Sequence, residues 1–158
     1  MSRGPEAQFW TTLRQNLPKE AFATRIENTH GGGVPDVHVV WDGMPFWMEL
    51  KIAKVSSVNI RPHQVAWNMA YFARGGLSFF LVKNLSSKLL YLFPADQGPA
   101  LAKVGLSGAQ GPSFETVGAL VGGLRSLVGA HYCRVGARLS GSGLSGTVGS
   151  GPEDQGPE

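Results

Sequence analysis

A single cysteine, Cys133, leaves no intrachain disulfide framework to build. The four histidines never fall beside it with the spacing of a zinc site. The longest apolar runs are broken by Gly and charges well short of a membrane span. The opening MSRGPEAQ is polar and has no signal-peptide character. No internal repeat is visible. These absences argue against a secreted disulfide scaffold, a membrane protein and a repeat array. They fit one cytoplasmic domain in a reducing compartment, with 158 residues and enough apolar content for a core.

Positive charge is unevenly placed. Residues 1–105 carry 11 Lys/Arg against 7 Asp/Glu, a net +4, and residues 106–158 carry 3 against 4, a net −1. An excess confined to one part of the chain fits a polyanionic partner, although a solvated basic surface reads the same way.

Hydrophobic spacing divides the chain. Pro5 suits a first helical turn, and Phe9, Trp10, Leu13 and Leu17 recur at helical intervals, so a helix is expected over 5–17. Glu6 falls on that apolar stripe, either as a solvated first-turn acid or as one turned toward a site. Residues 21–28 read as a strand, followed by a glycine-rich loop over 29–34. Two strands follow at about 35–41 and 45–53. A second helix runs from Arg61 and Pro62 to about Arg74, with Val65, Met69 and Phe72 as its core stripe and Gly75-Gly76 as its stop. Further strands are expected at 78–83 and 88–93, the second an edge strand ended by Pro94. A glycine-weakened helix spans 113–128. The expected divisions are a domain over 1–105, a glycine-rich helical extension over 106–139 and a Gly/Ser-rich acidic tail over 140–158 that cannot bury enough to order itself.

The chemistry concentrates in Gly31–Lys51, GGGVPDVHVVWDGMPFWMELK. Strands alternate their side chains, so Asp36, His38 and Val40 share one face and Glu49 shares another with Lys51. The Asp42-Gly43 dipeptide is a hairpin turn signal. Folding the two strands together brings Asp36, Glu49 and Lys51 to one place. Two carboxylates and an ammonium there suit a hard, oxygen-seeking cation and a phosphate.

On these residues the chain resembles the PD-(D/E)xK nuclease superfamily. Pro35-Asp36 matches the first half of its signature and Glu49-Leu50-Lys51 the second. Within it, the chain is most similar to archaeal-type Holliday junction resolvases and virus-type replication-repair nucleases, many of them phage-encoded. The shared features over residues 5–93 are the helix acid Glu6, the loop glycines Gly31, Gly32 and Gly33, the helix Gln64, and Gly75-Gly76 before an apolar strand. One departure lies in the loop, where such resolvases often carry a serine and Thr29 and His30 stand nearest here.

The resemblance implies an α/β, restriction-endonuclease-like core: a central mixed five-stranded sheet flanked by helices in the order αβββαββ. It implies a Mg²⁺-dependent endodeoxyribonuclease, with Mn²⁺ as substitute, that cuts branched or duplex DNA as a homodimer in a cytoplasm, the host's if phage-encoded. Asp36, Glu49, the Leu50 carbonyl and Glu6 would hold metal, Lys51 would act on the attacking water or the developing charge, and Gln64 would position phosphate or water. His30, Gly32, Lys54 and Arg61 are candidate DNA contacts. His38 reads as a ligand or as a hydrogen-bonded neighbour, and Trp67 and Tyr71 as a stacking pair or as core. Apolar groups at 79–81, 89–93 and 114–128 are candidates for the dimer contact, or else complete the monomer's own core. The rival readings are a monomeric flap-cutting or restriction-like nuclease, a non-catalytic DNA-binding module, and an interaction protein whose Glu-x-Lys is an ordinary surface pair.

Overall fold

The computed structural model describes residues 4–26 and 32–141. Helix α1 spans Pro5–Asn16, followed by strands β1 (Phe22–Arg25), β2 (Val37–Trp41) and β3 (Met44–Ala53). Helix α2 (Pro62–Ala73) leads to β4 (Ser78–Asn84) and β5 (Leu90–Pro94). A 3₁₀ turn (Ala95–Gln97), α3 (Gly98–Val104), the short β6 (Ser113–Phe114) and α4 (Val117–Gly141) follow.

The architecture is the expected α/β sheet flanked by helices, with a sixth strand. The spatial order is β1-β2-β3-β4-β5-β6, and among the described residues only the β3–β4 pair is parallel. A parallel pair needs a crossover, and α2 supplies it. The Asp42-Gly43 turn between β2 and β3 has φ of 51° and 73°, the left-handed pair that a two-residue hairpin of this kind requires. β6 was not legible because it is two residues long; it pairs Leu90 with Phe114 and Tyr91 with Ser113, so β5 is not an edge strand. The helix expected over 113–128 starts later and runs to Gly141.

Strand alternation splits the core. On one face, Val37, Val39, Phe46, Met48, Leu50, Phe79, Leu81 and Leu92 pack with Phe9 and Leu13 of α1 and with Leu120, Leu124 and Val128 of α4. On the other, Ala53, Phe80, Val82 and Phe93 pack with Val58, Ile60 and Leu101, joined by Val65 of α2. The glycines of α4 have a packing use at Gly123, where a Cβ would sit 2.3 Å from the Phe114 ring. The apolar groups singled out for dimer contact are taken up here: Phe79, Phe80, Leu81, Leu90, Leu92 and Phe93 are buried in the monomer, as are Leu120 and Leu124.

The expected core stripe of α2 holds at Val65 and is corrected at Phe72 by the structure. Phe72 is 39% exposed, and the buried residue of the helix is Asn68. Polar pairing turns the helix. Ser78 donates to Asn68 Oδ1 at 2.7 Å, and Asn68 Nδ2 donates to the Gln64 carbonyl at 2.9 Å. A buried amide must be satisfied, and this requirement outweighs the apolar spacing.

Ser78→Ala leaves Asn68 Oδ1 buried without its donor. The expected loss is about 1–3 kcal/mol of unfolding free energy, read from urea denaturation. An unchanged midpoint contradicts this account of how α2 is oriented.

Candidate functional site

Residues Asp36, Glu49, Lys51 and Gln64 meet on the face of the sheet that α2 covers. β3 presents Glu49 and Lys51 to that face because Met48 and Leu50 are committed to the core beneath α1 and α4. Asp36 lies just before β2, whose first residue Val37 pairs with Met48. Its Oδ2 accepts from the Leu50 N–H at 3.1 Å, which ties the end of β2 to the middle of β3. In a strand the N–H and C=O of one residue point to the same side, so the Leu50 carbonyl is turned toward Asp36 as well.

These side chains line an open pocket of about 440 Å³ together with Glu6, Ile52, Asn59 and Arg61. Glu49 is fully buried. Its Oε1 accepts from Lys51 Nζ at 2.9 Å and from Gln64 Nε2 at 2.5 Å. Gln64 Oε1 in turn accepts from Lys51 Nζ at 3.1 Å and from the Arg61 N–H at 3.0 Å. Gln64 thus joins a carboxylate, an ammonium and the start of α2. Glu49 Oε2 is buried with no hydrogen-bond partner. An orphaned carboxylate oxygen in a polar pocket is costly unless something positive binds there.

Burial raises the Glu49 carboxyl from its ordinary 4.5 to about 7; the nearby Asp36 charge adds to this, and Lys51 opposes it. Burial also raises Asp36, against the Leu50 N–H and the Lys51 and Arg25 charges. Glu6 is raised by burial and then by Asp36, with Lys51 and Arg25 opposing. Three carboxylates share too little positive charge. Among the described residues, the acids that line the pocket offer oxygen, the donor type a hard divalent cation prefers. Among the described residues, no group of three or more His, Cys, Asp or Glu side chains forms a ligand cluster by itself. A bound ion would therefore draw on water and backbone oxygen beside Asp36 and Glu49.

Other sequence candidates are placed differently. Glu6 reaches the pocket from α1 but is paired with Arg25 at 3.5 Å. Arg61 lines the pocket, whereas Lys54 is exposed and outside its lining. Gly32 is exposed with φ 107°. His30 lies outside the described residues. His38 packs its ring 4.6 Å from Trp47. Trp67 stacks on Tyr71 at 4.9 Å and meets Trp47 edge-on at 5.7 Å, so the pair belongs to a half-buried aromatic cluster.

Sequence reasoning missed Arg25 and Asn59, and it named Gly33 only as one of three loop glycines. Arg25 is set beside Glu6 only by the docking of α1. Gly33 has φ 69°, and a Cβ there would lie 2.1 Å from the His63 carbonyl oxygen; this close approach seats the loop against the first turn of α2, next to Gln64. A glycine-rich loop was visible, but which glycine touched what was not.

A raised carboxyl pKa gives a definite pH dependence. The unfolded chain loses its Glu49 proton near 4.5 and the folded chain near 7. Stability is therefore greatest below the lower value and falls as pH rises between the two. The gap corresponds to roughly 3 kcal/mol at most. In metal-free buffer the urea midpoint should fall between about pH 5 and pH 7.5, and Glu49→Gln should flatten that fall. A midpoint that rises over the interval contradicts the assignment.

No family model matches the chain, and no curated protein does. Among solved structures it is similar to the Holliday junction resolvase Hjc of Archaeoglobus fulgidus, with 15% identity over 58% of this chain and 75% of that chain and a TM-score of 0.45.

Proposed function

We propose that this chain is a divalent-metal-dependent DNA endonuclease of the PD-(D/E)xK superfamily, acting on branched DNA. The observation that carries the reading is the orphaned Oε2 of fully buried Glu49, in one pocket with Asp36 and Lys51. Binding without chemistry does not call for a buried, underpaired carboxylate. A surface ion pair does not place Glu49 at full burial.

Asp36 and Glu49 would hold the ion, with the Leu50 carbonyl as a further oxygen. When bound, Mg²⁺ or Mn²⁺ offsets phosphate charge and makes a water a better nucleophile. The remaining work falls to the chain. Lys51 lines the pocket with its ammonium anchored to both Glu49 and Gln64, where it would orient the attacking water and balance charge developing on the phosphate. Gln64 keeps the Glu49 carboxylate and the Lys51 ammonium in fixed relation. Arg61 adds a cation at the rim for the phosphodiester. Arg25 draws Glu6 aside, and Glu6 would become available to a second ion or its water when that half-buried pair opens.

A four-way junction offers two equivalent scissile phosphates, which a twofold dimer would match. One observation favours the plainer alternative of a monomeric nuclease: many of the apolar groups that are candidates for a dimer contact, Phe79 to Leu81 and Leu92 among them, are used in the monomer's own core.

Asp36→Ala and Glu49→Gln should each lower Mg²⁺-dependent cleavage by at least about 10²-fold, because several kcal/mol of charge stabilisation is withdrawn. Mg²⁺ should raise the melting temperature of wild type, and each of these variants should lose that rise. Lys51→Ala should lower cleavage by about 10²–10⁴-fold yet retain that rise, since an ammonium is not a ligand. Full activity in any of the three refutes the role given to that residue.

Cleavage of a four-way junction beside a matched linear duplex at one salt concentration, with sedimentation of the same sample, separates the two forms of the proposal. A dimer cutting both junction strands symmetrically supports a resolvase. A monomer cutting duplex equally well leaves the plain nuclease.

A further inference from the structure

The seam between β3 and α2 changes character along its length. At one end Lys51 and Glu49 meet Gln64. Two residues back along β3, Trp47 occupies the same face and meets Trp67 of α2 edge-on at 5.7 Å. One turn further along α2, Tyr71 stacks on Trp67 with ring planes 21° apart. Gly76 lies close against the Tyr71 ring, since a Cβ there would come within 2.4 Å of it. The rings are half-buried, and Trp67, Ala70, Tyr71 and Arg74 line a shallow open depression of about 210 Å³. Residues 64, 67, 71 and 74 follow helical spacing, so carboxylate pocket and aromatic shelf lie on one side of one helix.

Among the described residues, the sheet beside this shelf is not fully covered. By register, Phe22 and Thr24 of β1 share their face with Val40 and His38 of β2, and Phe22 remains 62% exposed. The charge is one-sided. From Leu50 to Ala95 the chain has no Asp or Glu and carries Lys51, Lys54, Arg61, Arg74, Lys83 and Lys88. An aromatic shelf with Arg74 in its lining, on a basic stretch of the chain and continuous with a pocket suited to phosphate, fits a polyanion with flat apolar rings.

We propose that Trp67 and Tyr71, backed by Trp47 and flanked by Arg74, form a stacking platform for unpaired bases of the DNA strand whose phosphate enters the carboxylate pocket. This rests on the nuclease reading and gives it a substrate class: DNA with single-stranded nucleotides next to the cut. Seven residues of helix separate Gln64 from Tyr71, about 10 Å, or roughly three base steps. Bases within a few nucleotides of the phosphate therefore reach the shelf. Stacking is indifferent to sequence because every base has a flat face, so the platform selects unpaired structure rather than a base order.

The test uses the full chain in EDTA, where no cleavage occurs. Fluorescence anisotropy compares a labelled oligothymidylate with an oligomer of equal length made of abasic sites. Wild type should prefer the base-bearing oligomer by at least about fivefold. Ala70→Glu, at an exposed position in the depression, and Trp67→Leu should each remove that preference. Arg74→Ala should weaken both oligomers alike. Circular dichroism and melting temperature establish that the variants are folded, and Ala70→Glu replaces no buried group. Equal binding of the two oligomers by wild type, or a preference that survives Ala70→Glu, overturns the proposal. So does a dimer that Ala70→Glu converts to monomer while base preference is absent, which would make this face a contact between copies. A wild type that prefers bases but cuts no DNA with Mg²⁺ keeps the platform and removes the nuclease reading. One that cuts without any preference does the reverse.

Discussion

Glu49 stands fully buried in a central strand, and burying a carboxylate is unfavourable unless hydrogen bonds and opposite charge compensate. Here compensation is partial. Lys51 and Gln64 satisfy one oxygen and leave the other without a partner. Much of the surrounding structure serves to hold that arrangement. Gln64 reaches Glu49 only because α2 is turned by the buried Asn68–Ser78 pair and seated at its start by the close approach of Gly33. The Arg61 N–H then fixes the Gln64 amide so that its oxygen faces Lys51 and its nitrogen faces Glu49.

The two faces of the sheet divide the labour. The face under α1 and α4 is dry and closely packed, with Phe9, Leu13, Leu120 and Leu124 all fully shielded. A rigid apolar layer there lets the opposite face of the same strands carry charge at little risk to the fold. α4 contributes to that layer directly, and Arg125 adds a surface tie to Asp42 at 2.7 Å across the hairpin turn. Exposed pairs of this kind contribute at most about 1 kcal/mol, so the apolar contacts of α4 decide its position.

Asp36 shows how register does chemical work. Its carboxylate accepts the Leu50 N–H where β2 no longer supplies a backbone partner. The strand that ends early leaves a backbone group facing the pocket, and the acid that caps it is itself one of the pocket's charges. β3 runs five residues past its last pairing with β2, from Glu49 to Ala53, and this overhang creates both the opening and an oxygen-rich rim.

Local sequence determined the hairpin. Asp42-Gly43 favours a left-handed turn, and alternation in β2 and β3 assigns Asp36, Glu49 and Lys51 to one side because a strand has a period of two. The first helix and its stripe, including Phe9 and Leu13, followed equally from spacing. Local rules did not reach the rotation of α2, since apolar periodicity pointed to Phe72 whereas the helix buries Asn68. Nor did they reach the pairing of Arg25 with Glu6, the contact of Gly33 with the His63 carbonyl, or the two-residue strand that closes the sheet. Each of these depends on a partner distant in sequence, and a polar group's preference for a particular partner appears only once the chain has brought the two together. The sequence by itself therefore decided which residues share a face; the tertiary structure alone decided which faces meet, because burial and hydrogen-bond satisfaction are properties of pairs.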